Sequence, residues 1–298
     1  MGEFKRGKTM FLQALVDGIS LGGIYATCAM GLSLAFGVMG MVNWAHGEFI
    51  MLSMFLSYIL VTKISIDPYL TLFINAAVFF VIGYMLQKFL FNNILKKEND
   101  REPLSVLIST AGLSMVLFSI ATMIFGSNAM TAPTKYMGKT IWLGDVMFSV
   151  PRTISFVIAI ITTIALYLFI QKSELGRSLR ATSQDRNVAK LMGINTDKAY
   201  CIAFGIALAL VGIAAALLIP NYSVYPKVGA IYSFKCFVIV VLGGKGNIRG
   251  CLAGGIIIGI IERLGAILWT ESYAQVLVFA LFILMLIIKP NGLFSKSK

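Results

Sequence analysis

Three polar residues follow an apolar run near the start of the chain: Asn43, His46 and Glu48. An ionised carboxylate at membrane depth costs about 3 kcal/mol on insertion scales, so such residues normally face a cavity or a partner. The cluster therefore indicates a polar pathway, in which the N-terminus of the following helix can receive an anionic group. A second interpretation is that Asn43 caps that helix while His46 and Glu48 form hydrogen bonds with each other. The sequence is consistent with both interpretations.

The same cluster restricts the chemistry that the chain can perform. His46 is the only histidine, which excludes a metal site built from several histidines. A Ser-His-Asp relay would have to use His46, and no serine lies in a G-x-S-x-G setting. A membrane enzyme is therefore the weakest of the functional hypotheses.

Two later polar positions extend the predicted pathway. Glu262 and Arg263 are neighbours within an apolar run, and because adjacent helical residues point to different faces, we expect partners on other helices. Asn247 lies in the polar turn GGKGNIRG, residues 243–250. The predicted pathway residues are Asn43, His46, Glu48, Asn247 and Glu262.

Composition gives the class of protein. Of the 298 residues 58% are hydrophobic and 13% are charged, with a mean hydropathy of +0.86, so we predict a multispanning membrane protein. The net charge of +12 does not indicate nucleic acid, because the basic residues lie between apolar runs rather than on one polar surface. The four cysteines stand singly in apolar segments, without the paired spacing of a zinc or redox site.

The apolar runs predict an all-α polytopic membrane helix bundle with two parallel internal repeats. We count about eight full spans plus two short broken helices at 31–42 and 231–242, each of which would reach only about 18 Å. We predict that residues 1–10 are a basic cytoplasmic leader, or a remnant of an expression vector, before one transmembrane domain at 11–298. Its predicted parts are repeat one (11–95), a connecting pair (104–171), a polar loop (172–198) and repeat two (199–288).

The loop from Lys172 to Lys198 sets the predicted orientation, because it carries six Lys and Arg residues and positive loops face the cytoplasm. With this loop inside, 17 of the 25 basic residues lie in cytoplasmic segments and both termini are cytoplasmic. Apolar clusters within the loop, the second ended by Gly193, are typical of short amphipathic helices. We expect them to offer a surface to a partner protein, the alternative being a helix that lies on anionic membrane lipid.

Four motifs in sequence order carry a family resemblance. They are NWAHGEF (43–49), LGRSLRATSQDRNVAKLMGIN (175–195), VLGGKGNIRGCLAGG (241–255) and KPNGLF (289–294). From about Met10 onward the chain resembles the LivH-type permeases, inner-membrane subunits of bacterial ATP-driven importers of branched-chain amino acids. The resemblance implies a transport subunit that is not an enzyme and binds no cofactor itself.

The resemblance also implies partners. These are a LivM-like second permease, two cytoplasmic ATPase subunits that bind ATP, and an extracytoplasmic solute-binding protein. Importers often mark the helix that docks on the ATPase with E-A-A-x-x-x-G, and here the glutamate and one alanine are replaced. The expected ATPase-coupling residues are Arg180, Arg186, Asn187, Val188, Ala189 and Gly193.

A free-standing, ion-coupled secondary transporter of small solutes is the main alternative. In that case Asp17, Glu48 and Glu262 would be proton or cation sites. Within the family the substrate also stays open, since similar permeases carry urea, amides, other amino acids or sugars. The apolar residues along the predicted spans do not identify the substrate.

Overall fold

A computed structural model describes residues 2–95, 104–144, 146–268, 270–289 and 292–294. Within this part of the chain the fold is a bundle of helices with one small hairpin. The elements are α1 (Gly2–Met39), α2 (His46–Lys63), α3 (Thr71–Leu86), a π-helical turn (Gln87–Phe91), α4 (Asn92–Leu95), α5 (Leu104–Phe125), β1 (Thr140–Leu143), β2 (Val146–Ser149), α6 (Val150–Lys172), α7 (Glu174–Gln184), α8 (Arg186–Leu191), α9 (Thr196–Leu218), α10 (Val228–Gly243), α11 (Ile248–Leu268) and α12 (Glu271–Ile288).

Six segments in the described residues are long and apolar enough to cross a membrane. Two of them form the centre of the bundle, since 89% of the apolar window of α1 and 78% of that of α9 is buried. The other four, the α3–α4 segment, α5, α6 and α11, are 17–39% buried and present apolar side chains outward, as lipid-facing helices do. Two shorter apolar helices are Val228–Gly243 and Tyr273–Ile288.

Small residues hold α1 against α11. A Cβ atom on Gly22 would lie 2.6 Å from the carbonyl oxygen of Gly255, and one on Gly259 would lie 2.6 Å from the backbone nitrogen of Gly22. The helices therefore touch backbone to backbone, which only glycine permits here. This close packing brings the polar side chains of the two helices within reach of each other.

The predicted short helix at 31–42 is wrong as an independent element. α1 runs unbroken from Gly2 to Met39, about 57 Å. Neither a proline nor a charge interrupts its second half, and Gly31 packs against Ala207 of α9, so the run continues one buried helix. The helix ends at Gly40, whose φ of +65° suits glycine.

The unbroken α1 changes the topology. Near its start, Gln13 bonds to the backbone of Met147 in β2, and Arg152 at the start of α6 binds Asp17 at 2.9 Å. Near its other end, Ser33 accepts a hydrogen bond at 3.1 Å from the backbone of Gly246. We call the two ends of the bundle the hairpin end, which carries β1 and β2, and the basic end, which carries α7 and α8.

The predicted placement of both termini on one side is wrong. The start of α1 lies at the hairpin end, whereas the tail lies at the basic end, where Leu293 donates to the carbonyl of Leu242 at 2.9 Å and Asn247 donates to the carbonyl of Phe294 at 2.8 Å. The physical reason is that one long helix replaces a span and a half-span, which removes one reversal of the chain.

The all-α prediction omits the hairpin. Residues 140–149, within the predicted connecting pair, form two antiparallel strands in which Trp142 pairs with Met147 and Ile141 pairs with Phe148. β-branched and aromatic residues on both sides of Gly144, whose φ is +63°, favour this arrangement. The predicted repeat stays a prediction, although Gly40 and Gly244 both end a helix with positive φ before a polar turn.

Candidate functional site: a polar cavity within the helix bundle

A lysine and a glutamate meet inside the bundle, on α10 and α11. Lys235 Nζ lies 2.8 Å from both carboxylate oxygens of Glu262 and 2.7 Å from the phenol oxygen of Tyr25 on α1. The Tyr25 hydroxyl donates to Glu262 Oε1 at 3.1 Å. The three donors of the ammonium are thus all used. A membrane helix bundle tolerates a lysine that is ion-paired and fully hydrogen-bonded.

Arg263, which follows Glu262 in α11, is a second cationic side chain. Arg263 Nη2 donates to the hydroxyl of Tyr222 at 3.1 Å, while its Nε is buried without a hydrogen-bond partner among the described residues. Arg263, Lys235 and Glu262 all line a cavity of about 310 Å³. Two cations and one anion give this cavity a formal charge of +1, which favours an anionic group.

An apolar cavity of about 390 Å³ adjoins the polar one. Its wall is mostly aliphatic and aromatic, and it shares Lys235 and Glu262 with the polar cavity. Both volumes lie near the lower end of the range of about 300–1,000 Å³ that is typical of small-molecule sites. The lining residues of the apolar cavity are Ile231, Phe234, Lys235, Glu262, Gln275, Val276, Val278 and Phe279.

The polar turn before α2 does not line either cavity. The Asn43 side chain accepts a hydrogen bond from the backbone of Ala45 at 3.1 Å, which fixes the turn. His46 lies 2.9 Å from the carbonyl oxygen of Cys28 and is buried, so it packs α2 against α1. The predicted pairing of His46 with Glu48 is therefore wrong. Each of the two side chains instead contacts another helix.

Glu48 lies at the junction of α2, α5 and α10. Its Oε1 is 3.5 Å from the Ser114 hydroxyl, its Oε2 has no hydrogen-bond partner among the described side and main chains, and a Cβ on Gly229 would lie 2.6 Å from Oε2. The residue is 6% exposed. Glu48 is thus a buried carboxylate, separate from the cavity around Glu262, which is only half-buried.

Asn247 belongs to the basic end. Its Oδ1 accepts a hydrogen bond from the backbone of Gly250 at 3.0 Å, which satisfies one of the free N–H groups at the start of α11. Glu262 is 15 residues further along this helix, roughly 22 Å away. The structure therefore does not bring these two predicted pathway residues together.

The basic loop folds into α7 and α8, as its apolar clusters predict. Asp185 caps α8 by accepting hydrogen bonds from the backbone of Asn187 and Val188 at 2.8 and 2.9 Å. The helix ends in a glycine cap, in which the Gly193 amide bonds to Lys190 and the next amide, of Ile194, bonds to Ala189. Gly193 has a φ of +82°, so the cap depends on glycine.

The six expected coupling residues divide into two groups. Arg180 donates to the carbonyl of Ile170 at the end of α6, Arg186 binds Asp197 at 3.3 Å, and Ala189 is buried, so these three hold the helices in place. Asn187, Val188 and Gly193, by contrast, are exposed. Val188 belongs to an apolar surface, here called the α8 patch, formed by Val188, Leu191 and Met192, which are 54%, 86% and 77% exposed.

Comparison with known proteins decides the family. A family model described as branched-chain amino acid transport system, permease component, matches residues 14–286. The chain belongs to this family. The permease is 32% identical to the high-affinity branched-chain amino acid transport system permease protein BraD of Pseudomonas aeruginosa, covering 97% of each chain. It is 31% identical to the LivH permease protein of Escherichia coli K12, covering 97% of this chain and 96% of that one.

A solved structure is similar to the permease in fold. PsaBC from Streptococcus pneumoniae, in complex with Fab, has a chain that superposes with a TM-score of 0.51 at 15% sequence identity. The match covers 95% of the permease and 92% of the other chain. This likeness supports the helical arrangement alone.

Sequence reasoning missed Lys235 and Tyr25, the two residues that bind Glu262 in the polar cavity. Lys235 stands alone in the apolar run 231–242, and Tyr25 lies in the apolar run of α1. Glu262 is the only carboxylate in another apolar run. A single lysine in one run and a single carboxylate in another predict an ion pair, because burying either charge alone in the membrane costs free energy. That signal could have joined the two residues without a structure.

Proposed function

We propose that the permease is the membrane subunit of an ATP-driven importer of branched-chain or closely related amino acids. It forms the translocation pathway with a LivM-like second permease. The observation that supports this most strongly is the similarity to BraD and LivH along nearly the whole chain. Two cytoplasmic ATPase subunits supply the energy, and an extracytoplasmic solute-binding protein delivers the substrate. The permease itself binds no cofactor.

The basic end is the proposed cytoplasmic side of a bacterial inner membrane. At the basic end the segment 172–198 carries six Lys and Arg residues and the segment 243–250 carries two. At the hairpin end the region 126–149 carries two and the start of the chain, 2–9, carries three. Positive loops face the cytoplasm. The α8 patch then lies where an ATPase can bind it. Glu262, with Lys235, is the proposed pathway element, and the predicted pathway roles of Asn43, His46, Glu48 and Asn247 stay predictions.

An ion-coupled secondary transporter is the second candidate, and one observation favours it. Glu48 is a buried carboxylate with a free oxygen, which suits a proton or cation site better than Asp17 or Glu262, because those two are already paired. ATP dependence separates the two candidates. The permease and its partner subunits, reconstituted with the binding protein in liposomes, are expected to accumulate leucine only with ATP.

The same liposomes provide the control. Uptake should survive when proton and sodium gradients are abolished by ionophores, and it should stop with a non-hydrolysable ATP analogue. Leucine accumulation by the permease alone, driven by an ion gradient, would contradict the importer.

A topology reporter tests the proposed orientation. Since α1 crosses the whole bundle, the N-terminus should lie outside and the C-terminus inside. A short fragment of a split fluorescent protein, fused to the C-terminus, is expected to complement its cytoplasmic counterpart, whereas the same fragment at the N-terminus should give no signal. Equal signals from both fusions would contradict this topology.

A further inference from the structure

The polar and apolar cavities meet at the Lys235–Glu262 pair. Ile231 and Gln275 also line both cavities, so the pair and these two residues form a common wall. One chamber is charged and rich in tyrosine, and the other is aliphatic and aromatic. Such a division matches a small molecule with a charged head and an apolar tail. We call the two cavities the polar chamber and the apolar chamber.

Arg263 equips the polar chamber for a carboxylate. Guanidinium groups bind carboxylates with paired N–H donors in a fixed fork, and the Nε of Arg263 is a buried donor to which the described residues offer no acceptor. The partner that Arg263 does have, Tyr222, is a neutral phenol, so it does not cancel the positive charge. Lys235 is already neutralised by Glu262. A carboxylate therefore has one favoured position, at Arg263.

The same chamber can hold an ammonium group. Glu262 accepts three hydrogen bonds from Lys235 and Tyr25 within the described structure, and a carboxylate offers about four acceptor positions. Its Oε2, with one hydrogen bond, has room for another donor. Four tyrosines also line this chamber, and their ring faces attract cations. They are Tyr25, Tyr222, Tyr225 and Tyr232.

The apolar chamber suits an aliphatic side chain. Phe234, Val276, Val278 and Phe279 line it, and the charged atoms it contains are those of the shared wall. An amino acid whose head lies at Arg263 and Glu262 would direct its side chain toward this chamber. Its volume of about 390 Å³ accommodates a branched chain of four carbons.

We infer that the two chambers form one binding site for an aliphatic α-amino acid within the membrane. Arg263 binds the carboxylate, Glu262 Oε2 accepts a hydrogen bond from the ammonium, and the apolar chamber takes the side chain. The inference deepens the proposed function and depends on it for the class of substrate. It places the discrimination between substrates partly in the permease itself.

Ligand protection of an introduced cysteine tests the site without the binding protein. Ala266 lines the polar chamber one turn after Glu262 and Arg263, and the four native cysteines are buried, so the background reactivity is low. The A266C variant, assembled with its partner subunits in lipid nanodiscs, is treated with a small cationic thiol reagent. At leucine concentrations about ten times the dissociation constant, the labelling rate should fall about tenfold.

Two analogues of leucine and a second cysteine position serve as controls. Leucinamide lacks the carboxylate and 4-methylpentanoate lacks the ammonium, so each should protect far less than leucine. Ile267 is 42% exposed and lines neither chamber, so labelling of I267C should not respond to leucine. Adding Arg263→Gln to A266C should raise the leucine concentration for half protection about tenfold or more, and Arg263→Lys should restore part of the loss.

Several outcomes would overturn the inference. These are an A266C that does not react, equal protection by leucine and leucinamide, or unchanged protection in the Arg263→Gln variant. The proposed function fails in a different way, when the complete transporter with its binding protein imports no aliphatic amino acid. A transporter that imports leucine but shows no protection of A266C refutes the binding site alone.

Discussion

Replacing Lys235 with methionine is expected to lower the free energy of unfolding of the permease by about 3 to 5 kcal/mol. The substitution leaves Glu262 in the bundle without its cation, and removing one partner of a buried ion pair has a cost of this size. The Lys235 and Glu262 side chains are only 10% and 20% exposed, so solvent compensates little. The measurement is thermal or denaturant unfolding of the purified protein in lipid nanodiscs.

The double variant Lys235→Met with Glu262→Leu separates the cost of an unpaired charge from general disruption. Because neither charge is left without a partner, its stability should return to within about 1 kcal/mol of the original protein. Lys227→Met is the matched control, since this lysine is exposed at the start of α10 and its loss should change little. A single Lys235 variant as stable as the control would contradict the buried ion pair.

Hydropathy and periodicity predicted the membrane bundle because most helices are continuous apolar runs. α5 and α6 occupy the predicted connecting pair at 104–171, and α9 begins close to the predicted start of repeat two at residue 199. Length alone misled at α1, where an apolar run of 30 residues was divided into a span and a half-span. Tertiary packing decides whether such a run forms one long helix or a span and a half-span. Here Gly31 packs against α9 and Gly22 against α11, and a single sequence does not show these contacts.

For the candidate functional residues, too, the sequence predicts local features but not the contacts between helices. The helix caps at Asp185 and Gly193 are local features, so the sequence predicts α8 and its glycine end well. Arg180 and Arg186 were expected at the coupling surface because of their charge, but each finds a partner on a neighbouring helix. The partners of Glu262 come from α1 and α10, more than 25 residues away along the chain, and only the fold brings them together.

Polar substitutions in the α8 patch should uncouple the permease from its ATPase subunits. Leu191 and Met192 are 86% and 77% exposed, so replacing both with serine removes little packing within the permease itself. Burying two such side chains in an interface contributes about 3 to 5 kcal/mol, and clustered apolar anchors often dominate protein association. We therefore expect the affinity for the ATPase subunits to fall by about 100-fold or more.

Co-purification of the ATPase subunits and ATP-dependent leucine uptake measure this loss, while unfolding should occur at an unchanged temperature. Met137→Ser with Ile141→Ser is the matched control, because these side chains are 61% and 54% exposed at the hairpin end, which we place on the opposite side of the membrane. Arg186→Ala should behave differently from both, since it releases α8 from Asp197 and lowers stability as well as coupling. Full ATPase binding by the serine pair would show that the motor contacts the permease elsewhere, because the α8 patch would then contribute no binding energy.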